Sequence, residues 1–124
     1  MASVTKTVYE ATTLGGAPTV KLFTKEGCTL CDKVKDVLIE VREEWPHTLI
    51  QVDITDDEHS RWYSKYKYDI PVLHLEDQFW IKHRTTSQEL IEGFAQHRVG
   101  MFQERKGEPD AGAMEQRKAA RDSS

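Results

Sequence analysis

The chain has 124 residues, 38% of them hydrophobic and 31% charged, with a net charge of -4. That size and mix fit one globular domain with a single core. A negative balance without a basic stripe argues against nucleic acid or an anionic membrane as partner, and no run approaches the roughly 20 consecutive apolar residues that a membrane-spanning helix needs.

Residues 1–17 show no sustained periodicity and end in Gly15-Gly16-Ala17-Pro18, which punctuates rather than continues an element, so a flexible lead is expected there. The lead holds no apolar block of the signal-peptide kind. It is rich in Ser and Thr but carries Glu10 and no Arg, so a cytoplasmic protein is expected, with mitochondrial import as an unsupported alternative. Thr19-Val20-Lys21-Leu22-Phe23 is a short β-branched and aromatic run, the pattern of a strand covered on both faces. After Gly27, Leu30, Val34, Val37, Leu38, Val41 and Trp45 recur at spacings of three and four, which predicts a helix with one buried face ending before Pro46. His47 to Ile54 returns to strand composition.

Thr55-Asp56-Asp57-Glu58 has the form of a capping box and predicts a second helix, with Trp62, Tyr63 and Tyr66 as its apolar face. Val72 to Leu75 and Phe79 to Lys82, separated by Glu76-Asp77-Gln78, read as a hairpin. Thr86-Ser87-Gln88-Glu89 is a second capping box, followed by Leu90, Ile91 and Phe94 at helical spacing. Residues 103–124 mix both signs of charge with Gly, Pro and Ser and hold almost no large apolar side chains, so a disordered tail is expected after a domain spanning 18–102. The predicted order is β-α-β-α-β-β-α, a mixed four-stranded sheet with three helices on its faces.

Cys28-Thr29-Leu30-Cys31 falls where the first strand gives way to the first helix. At a helix start, free backbone N–H groups and the positive end of the dipole favour thiolate over thiol, which makes Cys28 the attacking sulfur of a disulfide exchange. Cys31, one turn on, can reach back to resolve the mixed disulfide. Lys25 adds a cation that can stabilise a thiolate or hold an acidic substrate group, and reads equally as a solvated loop lysine. A tetrahedral metal site needs four ligands, whereas this chain offers two Cys and five scattered His without finger spacing, so no metal is expected within one chain. A metal or iron-sulfur group bridging two subunits stays open as an alternative, as does a pair of inert core cysteines, although the latter fits poorly at a Gly-flanked loop-to-helix junction. His59, His74 and His83 read as packing or solvated residues rather than acid-base partners.

Lys25-Glu26-Gly27-Cys28-Thr29-Leu30-Cys31, following the strand Val20 to Thr24, resembles the active-site loop of glutaredoxins, Lys-x-x-Cys-x-x-Cys. Asp69-Ile70-Pro71-Val72 is similar to that family's second landmark, in which a cis-proline faces the dithiol. The resemblance covers about residues 19–98 and extends to glutaredoxin-like proteins with a Cys-x-Leu-Cys site. It implies a thioredoxin-like α/β fold, Cys28 as nucleophile and Cys31 as resolving thiol. It further implies that Lys25, Thr29, Ile70 and Pro71 hold substrate or glutathione, with the Ile70 backbone pairing with it.

On this reading the protein is a monomeric thiol-disulfide oxidoreductase with no bound cofactor and with glutathione as co-substrate. Its partners are glutathione or a reductase, together with disulfide-containing proteins. Two departures mark the chain. His83-Arg84-Thr85-Thr86 stands where glutaredoxins usually carry a Gly-Gly turn before the last helix, and Thr29-Leu30 replaces the usual Pro-Tyr between the cysteines. Thr86 and Ser87, with Arg84 as a cation, can still offer donors to a carboxylate, although Thr86 reads first as a helix cap. The alternative function is a thioredoxin-fold adaptor that keeps the cysteines without efficient turnover.

Overall fold

A computed structural model describes residues 2–12 and 15–122. Strand β2 (Thr19–Thr24) lies at the centre of the sheet, with Val20 and Leu22 fully buried on one side and Phe23 nearly so on the other. This is what a strand with apolar residues at successive positions requires. Helix α1 (Thr29–Val41) carries the chain back so that β3 (Thr48–Asp53) pairs parallel to β2. A 3₁₀ turn at Asp57–His59 and helix α2 (Ser60–Tyr66) then lead to β4 (Val72–Leu75), antiparallel to β2 on its other side, and to β5 (Gln78–Lys82) beyond it. Helix α3 (Ser87–Arg98) follows. From Thr19 to Arg98 the order is therefore the expected β-α-β-α-β-β-α.

The core has two layers. Val34, Leu38 and Val41 of α1 and Leu90 and Phe94 of α3 pack on the face that holds Val20 and Leu22. Tyr66 of α2 packs on the opposite face with Phe23, Val52, Val72 and Phe79. The start of α3 is sealed as predicted, the Thr86 hydroxyl accepting the Glu89 N–H at 3.2 Å. Gly93 lets α3 lie directly on the Trp80 indole, where a built β-carbon would come within 2.6 Å of Trp80 Cε2.

Two elements exceed the expected count, giving five strands and four α-helices among the described residues rather than four and three. Strand β1 (Lys6–Tyr9), inside the lead expected to be flexible, pairs antiparallel with β3, and the sheet order is β1-β3-β2-β4-β5. Four residues are too few for a periodic signal, and what holds them comes from far along the chain. Asp53 Oδ2 accepts the Val4 N–H at 3.0 Å, Thr5 Oγ1 accepts the Asp53 N–H at 2.8 Å, and Gln51 Nε2 donates to the Val4 carbonyl at 2.6 Å. The Tyr9 hydroxyl pairs with His47 Nε2, whose other ring nitrogen lies 2.8 Å from the Trp45 carbonyl.

Helix α4 (Ala111–Asp122) forms inside the tail expected to be disordered. It is held by charge and close backbone approach rather than by apolar area. Glu108 Oε2 accepts from the Tyr66 hydroxyl and lies 3.0 Å from Lys65 Nζ, Glu115 pairs with Lys67 at 2.7 Å, and Gly112 sits against Ser64. Met1, Thr13, Leu14, Ser123 and Ser124, which belong to the same lead and tail, lie outside the described residues.

The second predicted helix also starts differently. Thr55 does not cap it, because its hydroxyl donates to Asp53 Oδ1 at 2.6 Å, and Ser60 opens α2 after the 3₁₀ turn. Tyr66 is buried, but Tyr63 is 47% exposed and so does not share the buried face. Among the described residues, no helix is long and apolar enough to cross a membrane.

Candidate active site

At the C-terminal end of β2 the chain turns through Lys25-Glu26-Gly27, with Gly27 at φ +78, and the Cys28 N–H reaches the Lys25 carbonyl at 3.4 Å. Glycine at that angle avoids the clash a β-carbon would meet. Cys28 is the N-cap of α1, with φ -83 and ψ 100, and its sulfur accepts the Cys31 N–H at 3.2 Å. The two sulfurs are joined as a disulfide across Cα atoms 5.2 Å apart. Cys31 is 2% exposed under the first turn, whereas Cys28 is only partly buried. Cys28 Sγ is therefore the more accessible of the two sulfurs, and it lies beside the Cys31 N–H at the positive end of α1.

The Ile70–Pro71 bond is cis, Pro71 is buried and Ile70 partly so. Phe23 pairs with Val72, so the same antiparallel register carried one step further sets Pro71 beside Thr24 and brings Ile70 to the end of the sheet where Lys25 and Cys28 lie. Thr29 is exposed at the first helical position after Cys28, and Lys25 is exposed in the turn before it. All six predicted site residues thus sit at one end of the sheet. Val72 also pairs with Lys82, which brings His83 to Thr86 to that end.

The histidines divide. His74 is buried on β4 and its Nε2 lies 2.7 Å from the Tyr66 hydroxyl. Burial pushes it down to about 4, with Glu108 pulling the other way. His83, by contrast, bridges two loops of the dithiol end, its Nε2 lying 2.9 Å from Asp69 Oδ1. Asp69 opens the Ile70-Pro71 landmark and His83 opens the loop that replaces the Gly-Gly turn, but nothing in their spacing of 14 residues pairs them. The only signal was their position next to Ile70-Pro71 and next to the end of β5.

Asp53, at the end of β3, is buried, which raises a carboxyl, yet the Thr55 hydroxyl and the Val4 and Thr55 N–H groups hold it below the usual range. Among the described residues, the side chains grouped closely enough to share a cation are Asp56, Glu58 and His59, with ligand atoms within 4.8 Å of one another. The local chain already uses two of them. Asp56 accepts from the Ser3 and Thr5 hydroxyls, and His59 Nδ1 lies 2.8 Å from the Asp53 carbonyl.

A parallel β-α-β unit joined to an antiparallel hairpin and a last helix, with Cys-x-x-Cys at the first strand-helix junction and a cis-proline opening the next antiparallel strand, defines a glutaredoxin-like protein. The glutaredoxin-like domain model (DUF836) matches residues 19–95, and the chain belongs to that family. It is similar to the "Glutaredoxin-like protein YDR286C homolog" of Dictyostelium discoideum, at 29% identity over 75 residues, which span 57% of this chain and 69% of that protein.

Proposed function

We propose that the protein is a small dithiol thiol-disulfide oxidoreductase in which Cys28 is the nucleophile and Cys31 the resolving thiol. The observation that carries this reading is the asymmetry of the pair: a partly exposed sulfur capping α1 and a buried sulfur one turn behind it, already joined as a disulfide. In the reduced protein the Cys28 thiolate attacks one sulfur of a substrate disulfide. A Cys28–substrate bond forms and the other substrate sulfur leaves as thiolate. Cys31 then attacks the Cys28 sulfur, the substrate departs as its second thiol, and the Cys28–Cys31 disulfide holds the oxidation. Two electrons from two glutathione molecules, or from a reductase, restore the dithiol.

Glutathione is the proposed reductant, with Lys25, Thr29, Ile70 and Pro71 forming its binding surface. Lys25 offers an ammonium to a carboxylate, and the Ile70 backbone offers a donor and an acceptor to a peptide. The His83-Arg84-Thr85-Thr86 loop stands in for the Gly-Gly turn on the far side.

The test starts from the oxidised protein and reduced glutathione, followed by mass spectrometry, and then from catalytic reduction of a glutathionylated peptide. An adduct on Cys28 with turnover, both abolished in Cys28→Ser, is the expected result. Turnover that survives Cys28→Ser sinks the proposal. Absence of adduct and turnover removes glutathione, and the same assay with a thioredoxin-type reductase then decides whether the dithiol turns over at all.

A further inference from the structure

Two loops meet beside the dithiol end of the sheet: residues 67–71, which end in Ile70-Pro71, and residues 83–86, which lead into α3. His83 ties them together twice. Its N–H donates to the Pro71 carbonyl at 2.8 Å, and its Nε2 lies 2.9 Å from Asp69 Oδ1. Ile70 and Pro71 are therefore gripped from both sides, at the carbonyl that follows and at the carboxylate that precedes.

His83 holds this grip from an unfavourable backbone conformation, at φ +68. The Arg84 N–H bonds the Lys82 carbonyl at 2.9 Å and closes a three-residue turn on it, a rare form for a residue with a side chain. Residues held this way persist only where the surroundings over-determine them, and they cluster at functional sites. Between the two grips, the Ile70 N–H and carbonyl have no intramolecular hydrogen bond among the described residues. A strand-end backbone with a free donor and acceptor is a template for one more extended segment.

We propose that Asp69 and His83 are positioning residues, which hold Ile70 so that its backbone pairs with an extended peptide whose disulfide is attacked by Cys28. The inference rests on the dithiol reading above and adds to it the two residues that hold the pairing backbone in place, which a substrate without a peptide backbone would not need.

The test uses Cys31→Ser protein and two aromatic mixed disulfides, one carrying a short extended peptide and the other an ethyl group. In both, the Cys28 thiolate attacks the alkyl-side sulfur, and the bond to the aromatic sulfur breaks as the Cys28–S bond forms. The aromatic thiolate leaves with the electron pair and is read by its absorbance. Asp69→Ala and His83→Gly are each expected to slow the peptide probe by about fivefold, the scale of one half-exposed polar contact, and to leave the ethyl probe unchanged.

The double variant should be no slower than either single one, since both remove the same bridge. His83→Asn, whose amide can donate to Asp69 and which tolerates left-handed backbone, should keep the original ratio of rates. His83→Gly relieves the backbone conformation while removing the bridge, so its ratio decides even if Asp69→Ala does not fold. An equal fall on both probes, or an unchanged ratio in His83→Gly, overturns the proposal. Because these rates need only a reactive Cys28 thiol, they stay decisive if the wild-type protein shows no turnover with glutathione or reductase.

Discussion

His74 gives the protein an acid-sensitive core, and His74→Phe should remove most of that sensitivity. The imidazole is 4% exposed, its Nε2 is 2.7 Å from the Tyr66 oxygen, and Tyr66 donates to Glu108 Oε2. An ionised carboxylate can only accept, so the Tyr66 hydrogen points at Glu108 and His74 Nε2 carries the ring hydrogen. A second proton must then go to Nδ1 of a ring packed against Phe23 and Trp62, whose centroids are 4.6 and 5.4 Å away.

Burial lowers the folded value from 6.5 to about 4, the Glu108 carboxylate opposing and Lys21 adding to the effect. Between those values the unfolded chain binds the proton and the folded one does not. The folded state is therefore unpenalised above the unfolded value and loses stability as pH falls through it toward 4. At about 1.4 kcal/mol per pKa unit, the loss between neutral pH and pH 4 approaches about 3 kcal/mol. Urea denaturation of both proteins across that range measures it. The variant should lose about 3 kcal/mol less than the wild type, while carboxylate contributions from Asp53, Asp77 and Glu108 fall in both. Parallel stability profiles for the two proteins would refute the argument.

Gly93→Ala should destabilise by about 1–3 kcal/mol in the same denaturation assay, because the added methyl enters the Trp80 indole; a gain in stability, as helix propensity alone predicts, would show that α3 can shift away. Tyr9→Phe leaves His47 Nε2 without its partner in a buried position and should cost about 1–3 kcal/mol; no change would mean that β1 contributes nothing through this pair. Asp53→Asn should cost a similar amount at neutral pH, since Val4 and Thr55 then donate to a neutral amide. Because the Asp53 value is depressed, its contribution is present above the unfolded value and lost as pH falls through the folded one, so wild type and variant should converge in acid. A gap that persists unchanged there would contradict this account.

What the sequence made legible was local. The strand Thr19 to Phe23, the helix stripe from Leu30 and the Thr86 cap are each decided by residues within one or two turns of one another, and each formed where expected, except that α1 ends at Val41 and leaves Trp45 beyond it. Cys28 and Cys31 were marked as a pair by their spacing and their place at a strand-helix junction. What escaped was settled between segments far apart in the chain. Lys6 to Tyr9 becomes a strand because Gln51, Asp53 and His47 supply partners 38 to 48 residues on, and Glu108 anchors α4 through Tyr66 and Lys65, to which no periodicity points. Thr55 misled for a local reason instead: its hydroxyl donates to the Asp53 carboxylate two residues back and so does not cap a helix. Asp69 and His83, 14 residues apart, meet only because the hairpin returns Lys82 beside Val72.

The placement of β1 has a consequence for what counts as the folding unit. The family segment, residues 19–95, includes the dithiol but leaves out β1. Cut to that segment, the sheet would end at β3, where Leu49, Ile50 and Val52 stand beside a row of unpaired N–H and carbonyl groups. An apolar edge of that kind invites another chain to add a strand, and self-association follows. β1 is short, bulged between Thr7 and Tyr9 and opens with Lys6, all features that discourage further pairing. Both cysteines lie in the matched segment, but covering the β3 edge falls to the residues ahead of it.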